Sequence, residues 1–164
     1  MSAHTPSSAP FAAPELGQFA FWLGRWRVSY VDDEGRSWEG ENAISSVQGG
    51  RAVEERFSMP QPDGEPMTGH SLSVPVAGRG WCQTWVDNAG NYLDFTGGWN
   101  GSEMVLQRAT TRDGADVLQR MVFFDIGVDS LTWEWQSSAD GGGSWRLDWR
   151  LVYRRADEPA PGEA

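Results

Sequence analysis

The residues of this chain best suited to moving a proton are one glutamate and one histidine. Val53, Glu55 and Phe57 occupy alternate positions of a strand-like run, so if the two apolar side chains face a core, Glu55 faces it too, as a buried acid with a raised pKa. Such a group either forms an ion pair with an interior arginine, for which Arg120 and Arg108 are the candidates, or stands unpaired for general acid–base work. Of the two histidines, His4 falls in an N-terminal tail, which leaves His70, between Gly69 and Ser71. His70 is either a surface or internally satisfied imidazole or the partner of Glu55. Glu55 and His70 are therefore the candidate catalytic residues. Arg120 is ambiguous in phase, because Gln119, Met121 and Phe123 on the opposite face are the better core candidates.

Other chemistries lack their residues. All 13 basic residues are arginine, which excludes a lysine Schiff base. Two histidines and one cysteine scattered along the chain offer no paired spacing for zinc. No Gly-x-Ser-x-Gly elbow accompanies His70, and the glycine-rich segments join strand to strand rather than strand to helix, so neither a Ser-His-Asp triad nor a phosphate loop is expected. No cofactor and no metal follow from these residues. Cys82, beside Trp81, reads as a small buried thiol in a reducing cytoplasm. A net charge of −10 repels phosphate backbones and anionic bilayers, so nucleic acid and membrane are not expected as partners. The first fourteen residues have neither the basic start nor the apolar run of a secretory signal, and eighteen apolar residues never occur in a row.

The elements that must position these groups are strands. Glycine, Asn and Asp punctuate the chain at short intervals, placing turns at Asp32 to Arg36, Gly49-Gly50, Pro62 to Glu65, Ala77 to Arg79, Asn88 to Asn91, Asn100-Gly101, Asp113 to Asp116, Gly127 to Asp129 and Asp140 to Gly143. Nine turns delimit ten strands. Asn100-Gly101 and Gly49-Gly50 read as the sharpest hairpins, because a type I′ turn needs positive φ at both central residues. Trp81, Gln83, Trp85 and Asp87 share one face of a strand, and Trp145, Leu147, Trp149, Leu151 and Tyr153 one face of the last. Before the first strand, Leu16, Phe19, Ala20 and Leu23 fall at helical spacing and predict a short helix plugging one end. Short links favour up-and-down neighbours, and closure removes exposed edges, so the expected fold is a ten-stranded antiparallel up-and-down β-barrel, with a two-sheet sandwich as the alternative. The barrel spans 15–155, between an N-terminal tail, 1–14, and an acidic C-terminal tail, 156–164, both expected to be disordered.

Phe21-Trp22-Leu23-Gly24-Arg25-Trp26 at the start of the first strand, with Arg150, Arg154 and Arg155 in or beside the last, resembles the calycin pattern of the lipocalins. The resemblance implies that Trp26 sits at the closed barrel end beneath an arginine from the final strand, Arg150 or Arg154. Gly49-Gly50-Arg51-Ala52-Val53, Trp81 to Asp87, Gln119-Arg120, Trp135 and Ser138 to Trp145 are together similar to an uncharacterised bacterial lipocalin-like family of unknown function. Gln136 and Gly143 stand where that pattern suggests Glu and Lys, which puts any role for those two side chains in doubt. The related nitrobindin barrels bind haem through a histidine, but their Gly/aromatic first-strand signature is missing, so haem is not expected. Ser138 to Trp145 also fits an Asp-box hairpin; it occurs once, where a sialidase propeller would repeat it, and reads as structural.

Three functional classes remain. The first is a binding module, its cavity lined by Phe57, Trp85, Tyr92, Trp135 and Trp149 with Glu55, Gln83 and Arg120 as polar anchors, holding a hydrophobic or aromatic small molecule. The second is a cofactor-free acid–base enzyme, an isomerase, cyclase or dehydratase working through Glu55 and His70 in the same cavity. The third is an assembly protein whose ten tryptophans build an interface, with a homodimer as its simplest form. An open cavity of about 300 Å³ or more separates the first two from a filled core.

Overall fold

The structure is a computed structural model and describes residues 1–156; the stretch read as an acidic tail lies, apart from Ala156, outside the described residues. Ten strands run in order among those residues: β1 (Gly24–Val31), β2 (Ser37–Val47), β3 (Ala52–Met59), β4 (Met67–Val76), β5 (Gly80–Asp87), β6 (Tyr92–Trp99), β7 (Met104–Arg112), β8 (Ala115–Phe124), β9 (Ser130–Ser138) and β10 (Arg146–Arg155). Each pairs antiparallel with the next and β10 returns to β1, giving a closed up-and-down barrel. No helix among the described residues is long and apolar enough to cross a membrane.

All nine expected turns fall at strand joins, but their chemistry differs. Asn100-Gly101 is a longer link, because the Asn100 side-chain oxygen accepts the N–H groups of Ser102 and Glu103 at 3.2 and 2.9 Å and holds the chain through four residues. The Gly49-Gly50 turn is likewise wider, with positive φ beginning at Gln48. The two-residue turn with positive φ at both centres is Asp113-Gly114, at 52° and 78°. The Asp-box hairpin forms as its residues suggest. Asp140 accepts from the Ser138 and Ser144 hydroxyls, each at 2.7 Å, and the Trp145 indole folds back to donate to the Gly142 carbonyl at 3.2 Å.

The plug is a 3-10 helix, Leu16–Trp22, rather than an α-helix. Three residues per turn put Phe19 and Trp22 on one side, both buried, while Ala20 faces outward; Leu16 shares their side but, at the first position of the helix, is exposed. Phe19 and Trp22 meet Trp81 and Phe123 edge-on, with ring centroids 4.8 to 5.5 Å apart, and the Trp26 indole donates to the Trp22 carbonyl at 2.7 Å. These rings form the barrel floor. The arginine over Trp26 is Arg155, 3.8 Å from the ring centroid, not Arg150 or Arg154. Arg155 pairs directly with Trp26 in the β1–β10 register, and its guanidinium also donates to the carbonyls of Phe21, Leu23 and Val128. Gly24, at φ 118°, leaves the space this side chain fills.

Residues 1–14, read as a disordered tail, instead run along the outer wall. The His4 ring stacks on Phe124 at 3.8 Å and hydrogen-bonds Glu103, the His4 N–H donates to Glu134, and the Ala12 N–H donates to the Trp99 carbonyl. Beneath this segment, Glu134 takes Arg150 and Gln136, and Gln136 in turn takes the Arg120 side chain at 2.6 Å. A register shift between Leu147 and Trp149 divides β10. Trp149, Leu151 and Tyr153 face the interior, while Leu147 pairs with Gln136 on the outer face, where Trp145 also lies, stacked with Arg120.

Replacing Arg155 by Ala removes three carbonyl contacts and the cation–π stack at the floor, and is expected to cost about 2–4 kcal/mol in urea unfolding. Arg155→Lys should recover little of it, because an ammonium cannot fork between several carbonyls. Wild-type stability in Arg155→Ala would remove the guanidinium from the account of closure.

Candidate functional site

Alternation along the strands sends half of their side chains inward, and the floor fills one end of the cylinder. Between floor and open mouth lies a cavity of about 320 Å³. Four tryptophans wall it: Trp85 from β5, Trp133 and Trp135 from β9, and Trp149 from β10. Their packing is largely edge-to-face, with Trp133–Trp149 at 87°, Phe57–Trp149 at 89° and Phe95–Trp135 at 81° between planes. Gly69 is required beside Trp85, since a Cβ there would lie 1.9 Å from the indole. A larger depression of about 590 Å³ lies on the outer wall beside Phe11, Gly78 to Gly80 and Gln107. It has no tryptophan and no carboxyl group in its lining, and the interior cavity has both.

One side of the cavity is polar. Glu55 on β3 is 8 % exposed, and its hydrogen-bonding partner is the Asn42 amide at 3.5 Å, which also donates to the Tyr153 hydroxyl at 3.0 Å. Burial pushes the Glu55 carboxyl up to about 8, the Asn42 contact offsetting little of it. Burial, and then the nearby Glu55, raise the Tyr153 phenol as well, so it stays neutral. Ser71, paired with Glu55 across β3 and β4, and Asn42 each hold a buried oxygen with no partner, Oγ and Oδ1 respectively, and neither residue is part of the cavity lining. Gln83, further along, donates to Ser73 at 2.9 Å. At the mouth sits Asp87. Its burial favours the neutral acid, but donors from Trp85, Asn91 and Ala89 outweigh that and hold the carboxyl below its ordinary range.

Six of the eight residues expected to line the cavity do so: Glu55, Phe57, Gln83, Trp85, Trp135 and Trp149. Tyr92 and Arg120 do not. Tyr92 pairs with Val86 on the outer face of β5 and β6 and is 68 % exposed; Leu93 and Phe95, one phase over, line the cavity instead. Arg120 is buried, but outside, between Gln136 and the Trp145 ring 3.7 Å away. His70 also faces out, paired with Arg56 and Val86 and 3.6 Å from Glu54, so the proposed Glu55–His70 pair is not formed. Nor is the alternative ion pair: Arg108 reaches Gln119 at 2.6 Å, and neither arginine touches Glu55. Sequence reasoning passed over Trp133, Tyr153 and Asp87. Each shares its phase with a residue already assigned inward, namely Trp135, Trp149 and Trp85, and that was the signal. Asn42 gave none.

The site is thus an aromatic chamber inside a closed ten-stranded antiparallel barrel, with one unpaired acid in its wall. No known family profile matches the chain, and no curated protein matches it. Among solved structures, it is similar to Rv2717c from M. tuberculosis, with a TM-score of 0.56 and 17% identity over 88% of this chain and 99% of that one. A redesigned beta barrel aligns with a TM-score of 0.44 and 12% identity over 92% of this chain and 100% of its own. The likeness to Rv2717c is one of barrel fold.

A glutamate whose folded pKa lies above its unfolded value binds more protons in the native state. Its contribution is complete below the unfolded pKa, near 4.5, and is lost as pH rises to about 8. Glu55→Gln mimics the neutral acid, so the variant should match wild type near pH 4.5 and exceed it progressively toward pH 8, by at most on the order of 4 kcal/mol. Chemical denaturation across that range measures the gap; a gap independent of pH would mean that Glu55 is not the buried acid described.

Proposed function

We propose that the barrel binds a hydrophobic or aromatic small molecule in its interior. The observation that carries this reading is the open chamber itself, about 320 Å³ of unfilled space among four tryptophans, where a structural core would be packed solid. That volume lies at the lower end of the range used for small-molecule pockets, about 300–1,000 Å³. Large apolar walls supply affinity, and a few polar groups on one side fix orientation. The Gly24, Trp26 and Arg155 contact supports a calycin-type, lipocalin-like relationship, and a cytoplasmic bacterial setting accords with the lone cysteine and arginine-rich composition. With a net charge of −10, neither nucleic acid nor an anionic membrane is the partner in this reading.

N-phenyl-1-naphthylamine, an uncharged aromatic probe small enough for the chamber, should bind with saturable fluorescence enhancement, and Trp149→Ala should weaken it about tenfold, the loss of one aromatic anchor. Native mass spectrometry of protein from its own host should retain a small molecule. Absence of both saturable uptake and a retained molecule would overturn the proposal.

A further inference from the structure

The ionisable side chains that line the cavity are of one sign. Among the described residues lining the cavity, the ionisable acids are Glu55 and Asp87, and none is basic. Asp87 already accepts hydrogen bonds from Trp85, Asn91 and Ala89. Glu55 is the acid left without a strong partner: it is 8 % exposed, lines the cavity and has only the Asn42 amide, at 3.5 Å. An N–H donor entering the cavity would supply the partner that Glu55 lacks, and the adjoining aromatic rings attract positive charge through their faces.

Resting on the binding reading above, we infer that the chamber selects a cationic ligand: a protonated amine on an aromatic or aliphatic body, its nitrogen against Glu55 and its body among Trp85, Trp135 and Trp149. A carboxylate ligand would add negative charge to a lining whose ionisable groups are both acids, inside a chain of charge −10. A neutral hydrocarbon would leave Glu55 without a further partner. The ammonium answers both.

The exchange balances in charge and protons. The empty chamber holds Glu55 largely as the neutral acid, since burial raises it to about 8. An entering ammonium stabilises the carboxylate, and the Glu55 proton leaves to solvent, so one positive charge enters and one departs. The other groups facing the interior do not contribute to this titration: Tyr153 on β10 stays neutral, Asn42 on β2, Ser71 and Ser73 on β4 and Gln83 on β5 do not titrate, Asp87 is ionised below its ordinary range, and Arg108 on β7, opposite Gln119, donates to that amide at 2.6 Å rather than to Glu55. Glu54, next to Glu55 in sequence, and His70, next to Ser71, face outward. Affinity for the cation therefore climbs about tenfold per pH unit from pH 6 toward 8 and then levels.

A matched trio tests this with the full chain: 2-phenylethylammonium, its uncharged isostere propylbenzene, and 3-phenylpropanoate. Calorimetry in buffers of different ionisation enthalpy should show the ammonium releasing close to one proton at pH 6.5. At pH 8 it should bind at least tenfold tighter than propylbenzene, with 3-phenylpropanoate weakest. Glu55→Gln should abolish the proton release and the pH slope; the wild-type slope stands as a test even if that variant folds poorly. Propylbenzene binding as tightly as the ammonium across the pH range, or ammonium binding without proton release, overturns the cation assignment and leaves the binding chamber standing. If none of the three binds, the assignment and the reading of the chamber as a binding site fall together.

Discussion

The cylinder closes through a short seam, and most of what lies inside depends on it. β1 pairs with β2 along its whole length, from Gly24 opposite Ile44 to Val31 opposite Ser37, but with β10 over only Trp26 to Ser29. Arg155 reinforces this narrow ladder at its end. Its guanidinium covers the Trp26 ring and reaches carbonyls on the plug and on the β8–β9 link, so one side chain joins the first strand, the last strand and the floor. A closed sheet has no free edge, and its inward side chains have nowhere to go but the interior. Floor rings fill one half of that interior; the tryptophans of β5, β9 and β10 surround an unfilled space in the other.

The unfilled half holds polar groups in conflict with their surroundings. Glu55, Asn42 and Ser71 are buried with too few partners, whereas the polar groups of the outer wall, Glu134, Gln136 and Arg120, are equally buried and tied together. Both sets have left water. The outer set is covered by the N-terminal segment and completes its own hydrogen bonds, as a structural network must. The inner set does not, and local incompleteness of that kind is expected where a protein is built to meet something else. A donor brought into the cavity would meet Glu55, the member of that set in its lining.

Trp145 and Trp149 illustrate how local signals were translated into space. Unbroken alternation predicts them on one face, and a single register shift sends Trp145 outside to stack on Arg120 while Trp149 stays in the chamber. The plug shows the same sensitivity, since the spacing of Phe19 and Trp22 fits a 3-10 turn, while the wider apolar pattern suggested an α-helix. For Tyr92 the strand was correctly located and the phase was not. Aromatic character carries no sign of inside or outside when the neighbours on both faces are apolar enough for either.

From the sequence alone follow the ten strands, their up-and-down order, the structural part played by Gly24 and Trp26, and the inward turn of Glu55, Gln83 and Trp85. The strands, their order and the inward phases rest on period-two alternation and on turn residues, both local properties of the chain; the part of Gly24 and Trp26 rests on the resemblance to the calycin pattern. Only the tertiary structure decided that His70 and Arg120 face away from Glu55, that Arg155 rather than its neighbours covers Trp26, that residues 1–14 lie against the wall, and that the space beside Glu55 is empty. Each of those depends on register across strands distant in the chain, or on the volume left after packing, and neither quantity is written in the spacing of residues along one strand.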